Sequence, residues 1–346
     1  MTSATDERES VEALHAATAK KSVMRAAVRE RYGEPDVVEI RQIEKPTPAD
    51  DEVLVRVRAA SVNIADWYGV VGRPRIGRFA MGLFKPKETR IGIDYAGVVE
   101  EVGKDVTEFQ PGDEVFGGRT GAYAEYIVAK AARAIVHKPA NASFEVAAAV
   151  PVAAITALQA LRDRGGLKPG QKVLIQGASG GVGTYAVQIA KALGGEVTAV
   201  CSTPNVEIAR SLGADRVVDY TVEDCTKTDE RYDLLIDIAG TRPFRRLRRV
   251  LKPDAHVVVV GGPRKSRLLG PLGHVIRSKV ASIFVSQKTT FFVAKFNKED
   301  METLRELLEA GKMTSVVDSV YPLDRIADAL DRMGHGHPRG KIVVTV

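Results

Sequence analysis

The apolar positions change period part-way along the chain. Between residue 23 and about residue 140, short β-favouring runs at 26–28, 53–57, 97–101 and 114–116 are separated by Pro- and Gly-bearing stretches such as KPTPADDE and QPGDEVFGG. That pattern predicts short, largely antiparallel strands closing into a barrel-like body. From Ser143 the spacing becomes helical, and then strand-like runs at 173–175, 196–200, 216–218, 233–236 and 257–260 alternate with helical stretches. Such alternation predicts an α/β fold with a doubly wound parallel sheet. Beyond Phe292, EDMETLRELLEAG reads as a helix and KIVVTV as a strand, both expected to return to the first body. The opening 22 residues are polar, alanine-rich and mixed in charge, which predicts a flexible tail and neither a signal nor a transit peptide. The expected organisation is a tail at 1–22, a catalytic domain at 23–150 completed by 292–346, and a dinucleotide-binding domain at 151–291.

The densest chemical signal is KVLIQGASGGVGTYAVQIAKALGG at 172–195. A strand runs into a glycine-rich turn, the turn opens into a helix, and a second strand follows, which is the order a dinucleotide site needs. A pyrophosphate requires main-chain N–H groups at the positive end of a helix, with no side chain in the way. Gly180, Gly181 and Gly183 are expected to supply the tight turn, the close approach and the helix–strand contact. Ser179 and Val182 lie between them, and Ala178 stands where the first glycine of GxGxxG usually does. After the second strand the chain reads AVCSTPN, without the carboxylate that accepts from an NAD ribose. Ser202 and Asn205 could instead donate to a 2′-phosphate, so NADPH is expected in preference to NADH.

Composition narrows the class. With 346 residues, of which 45% are hydrophobic, the chain can build two cores. Cys201 and Cys225 are the only cysteines, too few for a disulfide framework and suited to a reducing, cytoplasmic interior. No apolar run reaches the roughly 20 residues of a membrane span, so no integral membrane segment is expected. A net charge of +6 is mild. Arg245, Arg246, Arg248 and Arg249, on an expected helix, and the PRKSR loop read as solvated or subunit-facing surface, because no aromatic interleaving marks a nucleic-acid site. Metal chemistry lacks ligands: the cysteines fall in the nucleotide domain, and His335 and His337 stand without companions.

The stretches AASVNIADWYGVVGRP, GIDYAGVVEEVG, PGDEVFG, AYAEYIVA, AAVPVAAITALQAL, GASGGVG, SLGADRVVDY and GKIVVTV together resemble the zinc-independent quinone oxidoreductases of the medium-chain dehydrogenase/reductase family, with their enone reductase relatives. The resemblance implies a GroES-like catalytic domain, a Rossmann domain, and a homodimer joined through the edges of the nucleotide-domain sheets. Zinc enzymes of that family carry a Cys in the first of these stretches and a His followed by Glu in the second. Here those positions hold Asn63, Ile93 and Asp94.

Hydride transfer to a quinone or an α,β-unsaturated carbonyl needs orientation, exclusion of water and hydrogen bonds to the developing oxyanion. By resemblance, Asn63 and Tyr68 are donors near the nicotinamide and the carbonyl, with Tyr68 as proton source and Asp66 as an orienting group. Plain packing is the alternative for Trp67 and Tyr68. Thr156 matches a position that contacts the nicotinamide ribose or amide, its alternative being a hydroxyl bonded to the preceding helical turn. Tyr220 resembles a residue flanking the adenosine phosphate. Gly261 and Gly262 would let the backbone approach the nicotinamide, while Phe291 and Lys341 complete the far wall. Two other functions fit the same residues: a zinc-free alcohol or aldehyde dehydrogenase, and an NADPH-binding regulatory protein with incidental turnover.

Overall fold

The structure, a computed structural model, describes residues 22–262, 273 and 286–346. The expected tail, apart from Ser22, and the PRKSR loop lie outside the described residues.

Strands β1 (Val23–Val28) and β2 (Glu39–Glu44) form an antiparallel pair at the entry to the first domain. There follow β3 (Glu52–Val62), helix α1 (Ile64–Val71), β4 (Asp94–Val102), β5 (Glu114–Gly118), β6 (Tyr126–Lys130) and β7 (Ile135–His137). Helix α2 (Pro151–Leu158) leads into the second domain, built from β8 (Lys172–Gln176), α3 (Gly181–Ala192), β9 (Glu196–Cys201), β10 (Arg216–Asp219), β11 (Tyr232–Asp237), β12 (Leu251–Val259) and β13 (Lys288–Phe291). Helix α4 (Lys298–Glu309), β14 (Val317–Pro322), α5 (Ile326–His335) and β15 (Lys341–Thr345) return the chain to the first.

The second domain's sheet has the order β10-β9-β8-β11-β12-β13, and every pair in it is parallel. This is the doubly wound order whose strand sequence reverses beside the first strand, leaving a crevice at the strands' carboxyl ends. Its strands are buried on both faces, which is why they read as near-continuous apolar runs. The first domain's sheet has the order β14-β15-β3-β4-β5-β7, with β6 also on β3. All its pairs are antiparallel except β14 with β15, which are parallel because α5 crosses over between them.

The arginine-rich stretch is less helical than its pattern suggested. A helical turn at Phe244–Leu247 passes through a 3₁₀ turn at Arg248–Val250 directly into β12, which starts at Leu251 and takes in the expected run from Val257. Phe244, Leu247 and Val250 are buried and pack with Leu174, Val200 and Leu235, so the cluster's apolar residues anchor it while its arginines face outward. Pro253, which has no N–H for a ladder, falls within the break in register between Tyr232↔Leu251 and Leu234↔His256.

The main core crosses the domain boundary. Alanines of α2 and the preceding turn, the inward faces of α3 and α4, and Phe116 of the first domain form one cluster. The small side chains of AAVPVAAITAL let α2 lie close to α3, which fixes the two domains against each other. Ser143 starts the helical turn before α2, its Oγ accepting from the N–H of Val146 at 3.3 Å.

Candidate active site

The glycine turn lies where β8 gives way to α3. Gly177, with φ of 84°, takes the left-handed conformation that the tight turn needs. Sequence reasoning had given that task to Gly180, whose φ is −84° and whose position leaves room for a Cβ. Gly183 does make the helix–strand contact: a Cβ there would sit 2.1 Å from the Gly177 carbonyl oxygen. Gly181 and Val182 open α3, so their N–H groups belong to its unpaired first turn. Gly180 also forms a parallel bridge with Gly340, whose N–H donates to the Ser179 carbonyl at 2.9 Å. The returning chain is thus tied to the turn itself. Across the crevice, Gly261 lies so close to β11 that a Cβ would meet the Ile238 carbonyl oxygen at 2.4 Å. Phe291 ends β13 and is partly exposed.

At the end of β9, Asn205 Nδ2 donates to Ser202 Oγ at 3.0 Å, while Asn205 Oδ1 is buried with no donor among the described residues. The orphaned amide oxygen fits a site that a hydroxyl-bearing or protonated ligand completes. Tyr220 is exposed, and its N–H is bonded to the Cys201 carbonyl beside Ser202. Arg210 pairs with Glu207 on the exposed face of its own helix. Asp219, which sequence reasoning passed over, lies opposite Cys201 in register, and its Oδ1 is taken up by the Thr221 N–H and hydroxyl.

The first domain contributes a buried polar cluster. Asp94, fully buried on β4, accepts four bonds: from Ser61 Oγ at 2.9 Å, Asn63 Nδ2 at 2.8 Å and Lys341 Nζ at 3.3 Å on one oxygen, and from the Val152 N–H at 2.9 Å on the other. Lys341 Nζ also donates to Asn63 Oδ1. Asp66 bonds back to the Asn63 N–H at 2.8 Å, closing the first turn of α1, and accepts the Tyr123 hydroxyl at 2.9 Å. Burial pushes the Asp66 carboxyl up to about 7, helped by the like charge of Asp94 and opposed by the N–H of Asn63 and the Tyr123 hydroxyl. Asp94 is raised by burial against the pull of the Lys341 ammonium, and burial lowers Lys341 against the pull of Asp94 and Asp66.

The structure therefore brings Asn63, Asp66 and Lys341 together, but around Asp94. Lys341 is 1% exposed, with its ammonium turned into this cluster. Its stem does reach the crevice, since a Cβ on Gly181 would lie 3.2 Å from Lys341 Cδ. Asn63 uses its oxygen and one amide hydrogen inside the cluster, leaving the second hydrogen as its remaining donor. Asp94, Ser61 and Tyr123 were missed as site residues. The available signal was an acid inside the apolar run IGIDYAGVV, a residue type that is buried only when paired.

Thr156 donates to the Val152 carbonyl at 2.7 Å, the helix-interior arrangement, which leaves its hydroxyl as an acceptor only. Tyr68 packs against the cluster of Trp67, Val70 and Met333, with the Trp67 ring centroid 5.3 Å away and its hydroxyl shielded from solvent. His335 faces Trp67 edge-on and bonds Asp331 at 2.9 Å. A zinc ion does not fit here. The position that would hold it presents an amide, an isoleucine and a carboxylate already bound to an ammonium, and among the described residues no three His, Cys, Asp or Glu side chains converge elsewhere.

Two family models match the chain: an alcohol dehydrogenase GroES-like domain over 49–140 and a zinc-binding dehydrogenase over 212–344. The chain is also 33% identical to the mitochondrial NAD(P)H oxidoreductase RTN4IP1 of Bos taurus, over 98% of its own length and 93% of that protein's. The chain is a medium-chain dehydrogenase/reductase of the quinone oxidoreductase group. This oxidoreductase is 32% identical to the chloroplastic NADPH-dependent alkenal/one oxidoreductase of Arabidopsis thaliana, over 93% of the chain and 79% of that protein. Among solved structures it superposes on the quinone oxidoreductase from Coxiella burnetii with a TM-score of 0.80 and 28% identity, covering 94% of the chain and all of that one. The zinc ligands implied by one family description have no counterpart among the residues around Asp94.

Proposed function

We propose that this oxidoreductase is an NADPH-dependent, zinc-free reductase that delivers hydride to quinones or α,β-unsaturated carbonyls. The observation that carries the reading is the bridge between Gly180 and Gly340, which sets the phosphate-binding turn beside the Asn63–Asp94–Lys341 cluster. NADPH, when bound, supplies the hydride. The N–H groups of Gly181 and Val182 at the start of α3 would hold its pyrophosphate, and Gly180, without a side chain, would let it approach the backbone, while Gly261 lets the chain pack against the Ile238 carbonyl. Ser202 and Asn205 receive the adenosine end, with Tyr220 beside it. No carboxylate stands at 201–205, and Asp219 is engaged by Thr221, which favours the phosphorylated ribose.

At the reacting end, Asp94 locks the Asn63 amide, so that its free hydrogen is presented in a fixed direction to a carbonyl or carboxamide oxygen. Lys341 supplies positive potential close to the turn. A delocalised enolate or hydroquinone anion is stable enough that neutral donors and this potential suffice without a Lewis acid. Tyr68 holds the proton for the product at its hydroxyl, and the acceptor must displace part of the Trp67 packing to reach it. Thr156 accepts from the nicotinamide ribose or amide.

The deciding experiment follows loss of reduced-nicotinamide absorbance with NADPH and NADH against quinones, enones, enals and, in reverse, alcohols, with and without a chelator. Turnover of quinones or enones, preferring NADPH and insensitive to chelator, is expected. Alcohol oxidation alone would replace the reading with a dehydrogenase, and tight NADPH binding without turnover would make the protein a regulatory binder. Tyr68→Phe should lower kcat by about 10²-fold with unchanged NADPH affinity; equal activity would pass the proton to solvent.

A further inference from the structure

The segment linking α1 to β4 breaks the usual surface rule. Residues 73–87 read RPRIGRFAMGLFKPK, with five cations and no acid. Within it, Ile76, Phe79, Leu83 and Phe84 are exposed, Phe79 to 75% and Phe84 to 89% of their full surface. At that exposure the two rings project from the protein instead of lining a groove. Such a cluster of exposed apolar side chains normally marks an interaction surface.

The segment is held in place. Arg78 Nε donates to the Gly72 carbonyl at 2.9 Å and its guanidinium lies over the Tyr32 ring at 4.4 Å. The Tyr32 hydroxyl donates in turn to the Gly82 carbonyl at 2.7 Å, and the Lys87 N–H closes onto Met81. Arg75, Lys85 and Lys87 have no side-chain partner among the described residues. At the base of the segment a cleft is lined by Tyr32, Glu34, Val71, Arg73, Arg75 and Arg78, and within it Arg73 is paired with Glu34 at 3.2 Å.

We propose that residues 73–87 dock the protein on the surface of an anionic lipid bilayer. Phe79 and Phe84 enter the interface, Ile76 and Leu83 cover its edge, and Arg75, Lys85 and Lys87 meet lipid phosphates. Charge complementarity selects this occupant. A second copy would set the unpaired Arg75, Lys85 and Lys87 against their own counterparts across a two-fold axis, and an acidic protein would bury projecting rings only in pockets matched to each. A bilayer interface accepts apolar side chains anywhere along its plane while its headgroups neutralise the cations. The inference is independent of the reaction proposed above and adds a surface location to a chain whose described helices are none of them long and apolar enough to cross a membrane.

Co-sedimentation of the full chain with phosphatidylcholine vesicles, with and without phosphatidylserine, tests this. Binding to the anionic vesicles only, weakened by salt, is expected. Phe79→Ser with Phe84→Ser, and separately Lys85→Glu with Lys87→Glu, should each lower the partition by ~tenfold or more, with an unchanged melting temperature and unchanged turnover of a water-soluble quinone. No binding by the parent chain, or equal binding by parent and variants, would overturn the proposal. Retention on polyglutamate without vesicle binding would assign the patch to an acidic protein and overturn it as well.

Discussion

Asp66 shows how one buried carboxyl ties α1 to the stability of the site. Its carboxyl ionises at about 7 in the folded chain, chiefly through burial, and near 4 when unfolded. A raised folded value means that its contribution to stability is fully present below pH 4 and is lost as pH rises to 7, after which the dependence flattens. Asp66→Asn keeps an oxygen for the Asn63 N–H and the Tyr123 hydroxyl while removing the ionisation. Urea midpoints compared at pH 5 and pH 8 should therefore fall less in the variant, the difference amounting to about 2–4 kcal/mol. Parallel pH profiles would show that the carboxyl titrates normally. Asn63, Asp66 and Lys341 could be picked out in the sequence by resemblance, but what they surround could not. Asp94 meets Ser61 through the register of β3 with β4, a pairing between residues 33 positions apart that no local pattern encodes. Tyr123 reaches Asp66 in the same way, across 57 positions.

Among elements, the β8–turn–α3 unit was the most legible, because strand, glycines and helix are contiguous and each is set by local chemistry. The error there was a single position, Gly177 for Gly180. It arose because a glycine-rich run offers several candidates for one left-handed residue, and only the backbone shows which one turns. The structure separates their roles in a way that binding can read. Gly183→Ala puts a Cβ 2.1 Å from the Gly177 carbonyl, so α3 must move off β8. Gly180→Ala meets nothing closer than 3.7 Å at a permitted φ. Titration of NADPH fluorescence should show at least a ~tenfold loss of affinity for Gly183→Ala, equivalent to about 1.4 kcal/mol, and a smaller loss for Gly180→Ala. Equal losses would mean that the helix–strand contact is not what positions the turn. The arginine-rich stretch was misread for a related reason: its charges suit an exposed helix, whereas its short apolar spacing, Phe244, Leu247 and Val250, serves one helical turn feeding a long strand.

For the whole molecule, the two-domain plan followed from the change of hydrophobic period, and the parallel sheet of the second domain confirms the doubly wound class. The parallel pairing of β14 with β15 was not legible, since it depends on where α5 carries the chain. Among the described residues the six-stranded sheet ends at β13, which pairs there with β12 alone. An uncovered edge of this kind invites pairing with another chain, and light scattering coupled to size exclusion should give twice the 37.4 kDa chain mass. A single-chain mass would withdraw the homodimer.

The contact between Lys341 and Asn63 spans 278 positions, which has a consequence during synthesis. While the ribosome is still making the nucleotide domain, Asp94 has been built but the ammonium that offsets its buried charge has not. The first domain acquires its internal counter-charge only when β15 emerges and slots between β14 and β3. A growing chain therefore carries both Asp94 and the glycine turn before it has made their last partners, since Lys341 and the Gly340 that bridges Gly180 arrive together at its end.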